Sequence, residues 1–76
     1  MKNVLTDIAR ALVDNPDEVV VTEREEGDTI FLQLSVAESD MGKVIGKQGK
    51  IAKAIRTVVK AAASIENKRV VVDIVQ

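Results

Sequence analysis

The sequence lacks several residue types on which particular folds and chemistries depend. Its 76 residues include no cysteine, so neither disulfides nor thiolate metal sites can stabilise the chain. Histidine, tyrosine and tryptophan are also absent. An enzyme built from this sequence would need a strongly perturbed lysine or carboxylate as its general base. The acidic residues show no metal-ligand spacing, so we expect no catalysis, no metal and no other cofactor.

Long apolar runs are missing as well, which argues against a membrane protein. No apolar run approaches the length that a transmembrane helix needs, and Asp7 interrupts the start before a signal-peptide core could form. The sequence therefore predicts a cytoplasmic protein. Hydrophobic residues still make up 46% of the chain, as in ordinary globular proteins. We expect one small domain, residues 1–76.

The net charge of −1 conceals a strong separation of charge along the chain. Residues 1–40 carry ten acidic and three basic side chains, whereas residues 41–60 carry six basic side chains and no acidic one. Soluble helix surfaces usually mix the two signs, because oppositely charged side chains one turn apart stabilise a helix. The separation therefore favours an electropositive face that binds an anionic partner.

The hydrophobic pattern predicts six elements in the order α-β-β-α-α-β. They cover residues 3–14, 18–25, 29–36, 41–45, 50–66 and 69–75. Asn3 and Asp40 are the expected N-caps of the first two helices, and Pro16 is expected to end the first. Because a helical crossover joins the last two strands, a right-handed connection makes them parallel. The predicted fold is α+β, a three-stranded mixed sheet with three helices on one face.

The long helix is predicted to have an apolar and a basic face. Six apolar residues fall within a sector of roughly 120° and are expected in the core: Ile51, Ile55, Val58, Val59, Ala62 and Ile65. Four cations fall in a sector roughly opposite: Lys50, Lys53, Arg56 and Lys60. Between the faces, Ala54 and Ala61 either permit close contact with another helix or simply fill a helix well.

Gly46-Lys47-Gln48-Gly49 joins the short helix to the long one. Glycines let a phosphate approach the main chain closely, and the start of the second helix offers unpaired N–H groups at Gly49, Lys50 and Ile51. A short loop between helices also needs glycine for its dihedral angles alone. The four residues by themselves therefore leave binding and structural roles equally open.

The segment VIGKQGKIAKAI, residues 44–55, resembles the KH-domain signature Val-Ile-Gly-x-x-Gly-x-x-Ile-x-x-Ile. Ala52 departs from it by replacing a larger aliphatic residue, and Ile51 stands where a polar residue is more usual. The order α-β-β-α-α-β is that of the type II KH fold. The resemblance covers the whole chain, which is similar to the small stand-alone bacterial KH proteins of the KhpA family.

This resemblance implies binding of single-stranded RNA, about four nucleotides held by the G-x-x-G loop and a groove. Carried over to this sequence, it predicts contacts from the loop, its flanking residues and the last strand. These residues are Lys43, Val44, Ile45, Gly46, Lys47, Gln48, Gly49, Lys50, Lys53, Arg69, Val70 and Val72. With Phe31 as the only aromatic residue, bases would lie against aliphatic side chains.

The resemblance also implies a role and partners. It suggests an RNA chaperone or post-transcriptional regulator that forms a homodimer, or a heterodimer with a larger KH-containing protein of the Jag type. The alternative is a KH-fold interaction and dimerisation module for which RNA is secondary. The cations at Lys47, Lys50 and Lys53 favour RNA over this alternative.

Overall fold

A computed structural model, which describes residues 1–75, shows three helices on one face of a three-stranded sheet. The elements follow the predicted order α-β-β-α-α-β. They are α1 (Lys2–Leu12), β1 (Val20–Glu26), β2 (Thr29–Ser35), α2 (Met41–Ile45), α3 (Lys50–Ile65) and β3 (Arg69–Val75). Short 3₁₀ turns at Pro16–Glu18, Glu38–Asp40 and Lys47–Gly49 occupy three of the connections.

The sheet has β2 at its centre, antiparallel to β1 and parallel to β3. The β1–β2 hairpin closes at the pair Glu26 and Thr29, with Gly27 at a φ of 62° in the turn. Helix α3 makes the crossover that a parallel pair requires. The predicted mixed sheet is therefore confirmed, and β3 is left as an edge strand facing α3.

The core lies between the sheet and the helices. Alternation in β2 points Ile30, Leu32 and Leu34 toward the helices, and each is at most 3% exposed. Phe31 points to the other face of the sheet, which no helix covers. Each helix then contributes fully buried residues to this core: Leu5 and Ala9 from α1, Val44 from α2, and Val59 and Ala63 from α3.

The first helix differs from the prediction at both ends. It begins one residue early, and the cap position is Met1, which makes no side-chain capping bond, so the predicted Asn3 cap is wrong. The helix also ends at Leu12, two residues earlier than predicted. Pro16 does not end it but starts a 3₁₀ turn. That turn delays β1 to Val20, two residues after the predicted start.

Asp40 precedes α2 as predicted, but its side chain does not cap that helix. The carboxylate is 1% exposed and accepts hydrogen bonds from the N–H groups of Asp14 and Asn15, at 3.2 and 3.0 Å, and from the Asn15 Nδ2, at 3.0 Å. Burial disfavours its charge, but these bonds and one from Lys43 outweigh it and hold the Asp40 pKa below its usual value. Asp40 therefore joins α2 to the end of α1.

The buried face of α3 is rotated from the predicted one. The buried residues are Ala52, Ile55, Val59 and Ala63, whereas Val58 is 51% and Ile65 85% exposed. The prediction that Val58 and Ile65 lie in the core is therefore wrong. The first and last of these buried positions are small alanines, whereas two larger residues of the predicted stripe, Val58 and Ile65, lie outside.

Candidate nucleic-acid interface

The connection between α2 and α3 is a tight turn built on positive φ angles. Gly46, Gln48 and Gly49 have φ values of 75°, 58° and 75°. The Gly46 N–H closes α2 by donating to the Gly42 carbonyl at 2.9 Å. A positive φ strains residues with a Cβ, and two of these three positions are glycine.

Gly46 is also required by a close contact with the next helix. A Cβ at this position would lie 2.5 Å from the Cγ1 of Ile51 and 2.9 Å from its Cβ. Ile51 is half-buried against the core, while Ala52, on the buried side of α3, is 5% exposed. In this sequence the large side chain of the KH signature has therefore moved by one position. Ile51 packs on the loop, and the smaller Ala52 lies where the helix meets the core.

Two of the three N–H groups predicted to be free, those of Gly49 and Lys50, are paired within this turn. Gly49 donates to the Gly46 carbonyl at 3.2 Å, and Lys50 donates to the Lys47 carbonyl. Their N–H groups are therefore satisfied within the 3₁₀ turn. Within residues 1–75, the N–H groups of Lys47 and Gln48 make no hydrogen bond. The unsatisfied donors are thus at the tip of the loop, beside the exposed Lys47 side chain.

Salt bridges divide the cations of this region into two groups. Lys43 pairs with Asp14 at 2.9 Å and Asp40 at 3.5 Å, and Lys68 pairs with Glu25 at 2.6 Å. Lys43 donates a hydrogen bond to the Asp14 carboxylate, and Lys68 donates one to Glu25; each bond raises the pKa of its lysine. The other cations of the loop, α3 and β3 form no salt bridge within residues 1–75: Lys47, Lys50, Lys53, Arg56, Lys60 and Arg69.

A groove runs between α3 and the edge strand β3. One part, of about 290 Å³, is lined by Arg56 and Lys60 opposite Val70, Val71 and Val72. It continues past Lys60 to a wider part of about 560 Å³ near Arg69. Arg56 and Lys60 therefore face β3. The sequence pattern predicted that they would lie on the side of α3 opposite the core.

The predicted site residues fall into an accessible and an inaccessible group. Lys47, Gln48, Lys53 and Arg69 are exposed and can contact a ligand. Val44 is fully buried and can only support the site from beneath, whereas Ile45 is 36% exposed.

Two other predicted residues lie outside the groove. Lys43 is held by its carboxylate partners. Lys50 borders an apolar cleft between α1 and α3, on another side of the helix from β3.

Arg56 and Lys60 line the groove but were absent from the predicted site. Their spacing from Lys53, three and then four residues, continues one helix face and was the available signal. Conversely, Phe31 lies on the open face of the sheet under the Arg24 guanidinium, 4.6 Å from the ring centre. The groove therefore contains no stacking ring, as the composition predicted.

The α-β-β-α-α-β order, the mixed sheet and the G-x-x-G turn between α2 and α3 define a KH domain of the type II arrangement. A family model described as the KH domain of KhpA and KhpB matches residues 2–74. The chain belongs to this KhpA/KhpB family.

Similar proteins extend over almost the whole chain. "RNA-binding protein KhpA" of Clostridium acetobutylicum is 65% identical over 75 residues, which is 99% of this chain and 100% of that protein. The proteins of the same name from Clostridium perfringens and Listeria monocytogenes are 60% and 45% identical; the matches cover 99% and 100% of this chain and all of each protein.

Among solved structures, Era in complex with MgGDPNP and nucleotides 1506–1542 of 16S ribosomal RNA has a similar fold. The TM-score is 0.72 at 20% identity, over 96% of this chain and 28% of that one. Aquifex aeolicus Era Y63A bound to GDP.AlF4⁻ gives 0.69 at 21% identity, with the same coverage. At this identity the likeness concerns the fold alone. Within residues 1–75, none of the helices is long and apolar enough to cross a bilayer.

Proposed function

We propose that this protein binds short single-stranded RNA through the α2–α3 loop and the groove along β3. The observation that carries the proposal is the loop tip, where the N–H groups of Lys47 and Gln48 and the Lys47 ammonium all have no partner within residues 1–75. Such a combination suits a phosphodiester oxygen. The names of the relatives, each an RNA-binding protein, support the same assignment.

The surroundings of the loop favour a single strand over a duplex. The β3 wall of the groove is formed by valines and the edge of a strand, which suits unstacked bases more than a helical backbone. One such site is small, so useful affinity would come from linking several sites. We propose a role as an RNA chaperone or post-transcriptional regulator, exercised in the cytoplasm where bacterial transcripts are found.

The test is a charge reversal at the loop tip. Lys47→Asp with Gln48→Asp should leave the circular dichroism spectrum unchanged and abolish filter binding of single-stranded RNA, because two carboxylates would face the phosphate. Wild-type affinity should fall with salt at a log–log slope of roughly −1.5 to −2 if two or three phosphates are neutralised.

The matched control is Lys2→Asp with Asn3→Asp, which makes the same charge change on exposed residues of α1. It should bind RNA nearly as the wild type does. RNA affinity that survives in a folded loop variant would refute the assignment of the site.

A second function, association with another KH chain, is favoured by an exposed stripe on α3. Ile51, Ala54, Val58, Ala61 and Ile65 follow the alternating three- and four-residue spacing of a coiled-coil seam. Val58 and Ile65 are exposed although apolar, and Leu12 of α1 extends the surface. We propose that this stripe pairs with the same stripe of a second copy, or with that of a larger KH protein of the KhpB (Jag) type.

Light scattering after size-exclusion chromatography tests this association. The wild type should be dimeric at high micromolar concentration, and Val58→Asp should be a folded monomer because it places a charge in the seam. Ser64→Asp, an exposed change on another side of α3, should remain dimeric. A monomeric wild type, or a dimer unaffected by Val58→Asp, would exclude this stripe as the homodimer contact.

A further inference from the structure

Arg56 is bound to the edge of the sheet in a way that sets its orientation. Its Nε donates to the main-chain carbonyl of Val72 at 3.2 Å. The Nη groups of Arg56 make no hydrogen bond or salt bridge within residues 1–75. The guanidinium is thus fixed at one corner and presents its remaining N–H donors to the groove.

The same bond changes what the strand can offer a ligand. An edge strand exposes main-chain acceptors as well as donors, but here the Val72 carbonyl is already occupied by Arg56. The side-chain groups that this part of the groove offers a ligand are therefore donors, the Nη groups of Arg56 and the Lys60 ammonium. Val70 and Val71 supply the apolar surface against which a base can lie.

This arrangement discriminates between base edges. Guanine presents two adjacent acceptors, O6 and N7, which match the two parallel donors of a guanidinium. Adenine presents N7 beside the N6 amino group, a donor that would meet the guanidinium donors instead. We propose that Arg56, held by Val72, forms a guanine-selective base position in the groove. The proposal rests on the RNA binding proposed above and adds to it a specificity-determining residue.

The experiment measures binding of the full chain to hexauridines that carry one guanosine at each position in turn, and to the matching adenosine set. These probes stay single-stranded, and the scan over positions finds the register. We expect at least one position at which guanosine binds about fivefold or more tightly than adenosine, the lower range for a bidentate arginine contact. At that position inosine, which keeps O6 and N7, should behave as guanosine, and 7-deazaguanosine should lose most of the preference.

Two variants separate recognition from charge. Arg56→Lys keeps the charge but loses the planar pair of donors, so the guanosine-to-adenosine ratio should fall to about one. Lys53→Gln removes a neighbouring exposed cation of α3 whose side chain makes no hydrogen bond to Val72 within residues 1–75, so it should weaken all probes while the ratio is kept. Circular dichroism confirms that both variants fold.

The outcomes distinguish the two proposals. If the wild type binds none of the probes, the proposed binding of short single-stranded RNA by this groove is refuted, and the role of Arg56 with it. If it binds them without a guanosine preference at any position, or if the preference persists in Arg56→Lys, RNA binding stands and the role of Arg56 is wrong. Loss of the preference in Arg56→Lys with its retention in Lys53→Gln supports the assignment.

Discussion

Alanine at Gly46 should destabilise this protein much more than alanine at Gly49, although both glycines belong to one turn and share a φ of 75°. At Gly49 the ψ of 15° gives an ordinary left-handed conformation, and a Cβ would meet nothing within 4 Å. At Gly46 the ψ of 176° is a combination that residues with a Cβ hardly adopt. A Cβ there would also overlap the Ile51 side chain.

The structure gives the size of the difference. A left-handed alanine costs about 1–2 kcal/mol, which is the whole expected effect at Gly49. At Gly46 the dihedral strain is of order 1–3 kcal/mol, and overpacking against Ile51 adds about 1–3 kcal/mol. The contact at 2.9 Å involves the Ile51 Cβ, which a rotamer change cannot move. We therefore expect about 3–5 kcal/mol for Gly46→Ala, a large part of the total stability of a 76-residue chain.

Urea and thermal unfolding followed by circular dichroism at 222 nm would measure both variants. At roughly 4–8 °C per kcal/mol, Gly46→Ala should lower Tm by about 12–40 °C and Gly49→Ala by about 4–16 °C. Adding Ile51→Ala to Gly46→Ala should cost less than the sum of the two single changes, because it removes two of the three overlapping atoms. Equal losses at the two glycines, or strict additivity with Ile51→Ala, would refute the role given to this contact.

Three further predictions concern the scaffold around the loop. Asp40→Asn should lower Tm at pH 7 more than Asp14→Asn, which alters an exposed carboxylate. Because the folded-state pKa of Asp40 lies below the unfolded value, the contribution of its carboxylate to stability is present above about pH 4 and is lost as the pH falls further. The difference in Tm between Asp40→Asn and the wild type should therefore narrow in melts toward pH 3. Parallel curves would contradict this. Gly42→Ala, in a helix with open space around it, should raise the free energy of unfolding by about 0.5–1 kcal/mol in urea titrations. Leu5→Ala should cost about 2–5 kcal/mol and the 38% exposed Leu12→Ala clearly less; equal losses would show that α1 is not docked through Leu5.

The periodicity of the chain was enough to predict all six elements, and the helical crossover before the last strand predicted that it runs parallel to the second. The alternation of Ile30, Leu32 and Leu34 defined the central strand. Short range effects dominate in these segments, because a strand buried on one face must alternate. The C-terminal end of α1 could not be predicted, because Pro16 starts a 3₁₀ turn before β1 and does not end the helix.

The sequence identified the loop of the proposed site but left out two residues that line the groove beside it. The loop residues Lys47, Gln48 and Gly49 were identified from the motif, and their exposure is consistent with a contact role. Arg56 and Lys60 were not included, because the helix was assigned the wrong rotation. The signal that misled was hydrophobicity itself: Val58 and Ile65 are more apolar than Ala52 and Ala63, yet the alanines are the residues that face the sheet.

The sequence by itself determined the order of elements, the position of the G-x-x-G turn and the concentration of cations after it. These follow from local conformational preferences and from charges counted along the chain. The tertiary structure decided which cations are committed to carboxylates, as Lys43 is, and which face the groove, as Arg56 does. It also decided that Ile51 packs on Gly46. Such pairings depend on the rotation of α3 about its axis and on its distance from the sheet, which packing of the whole core sets and no local pattern contains.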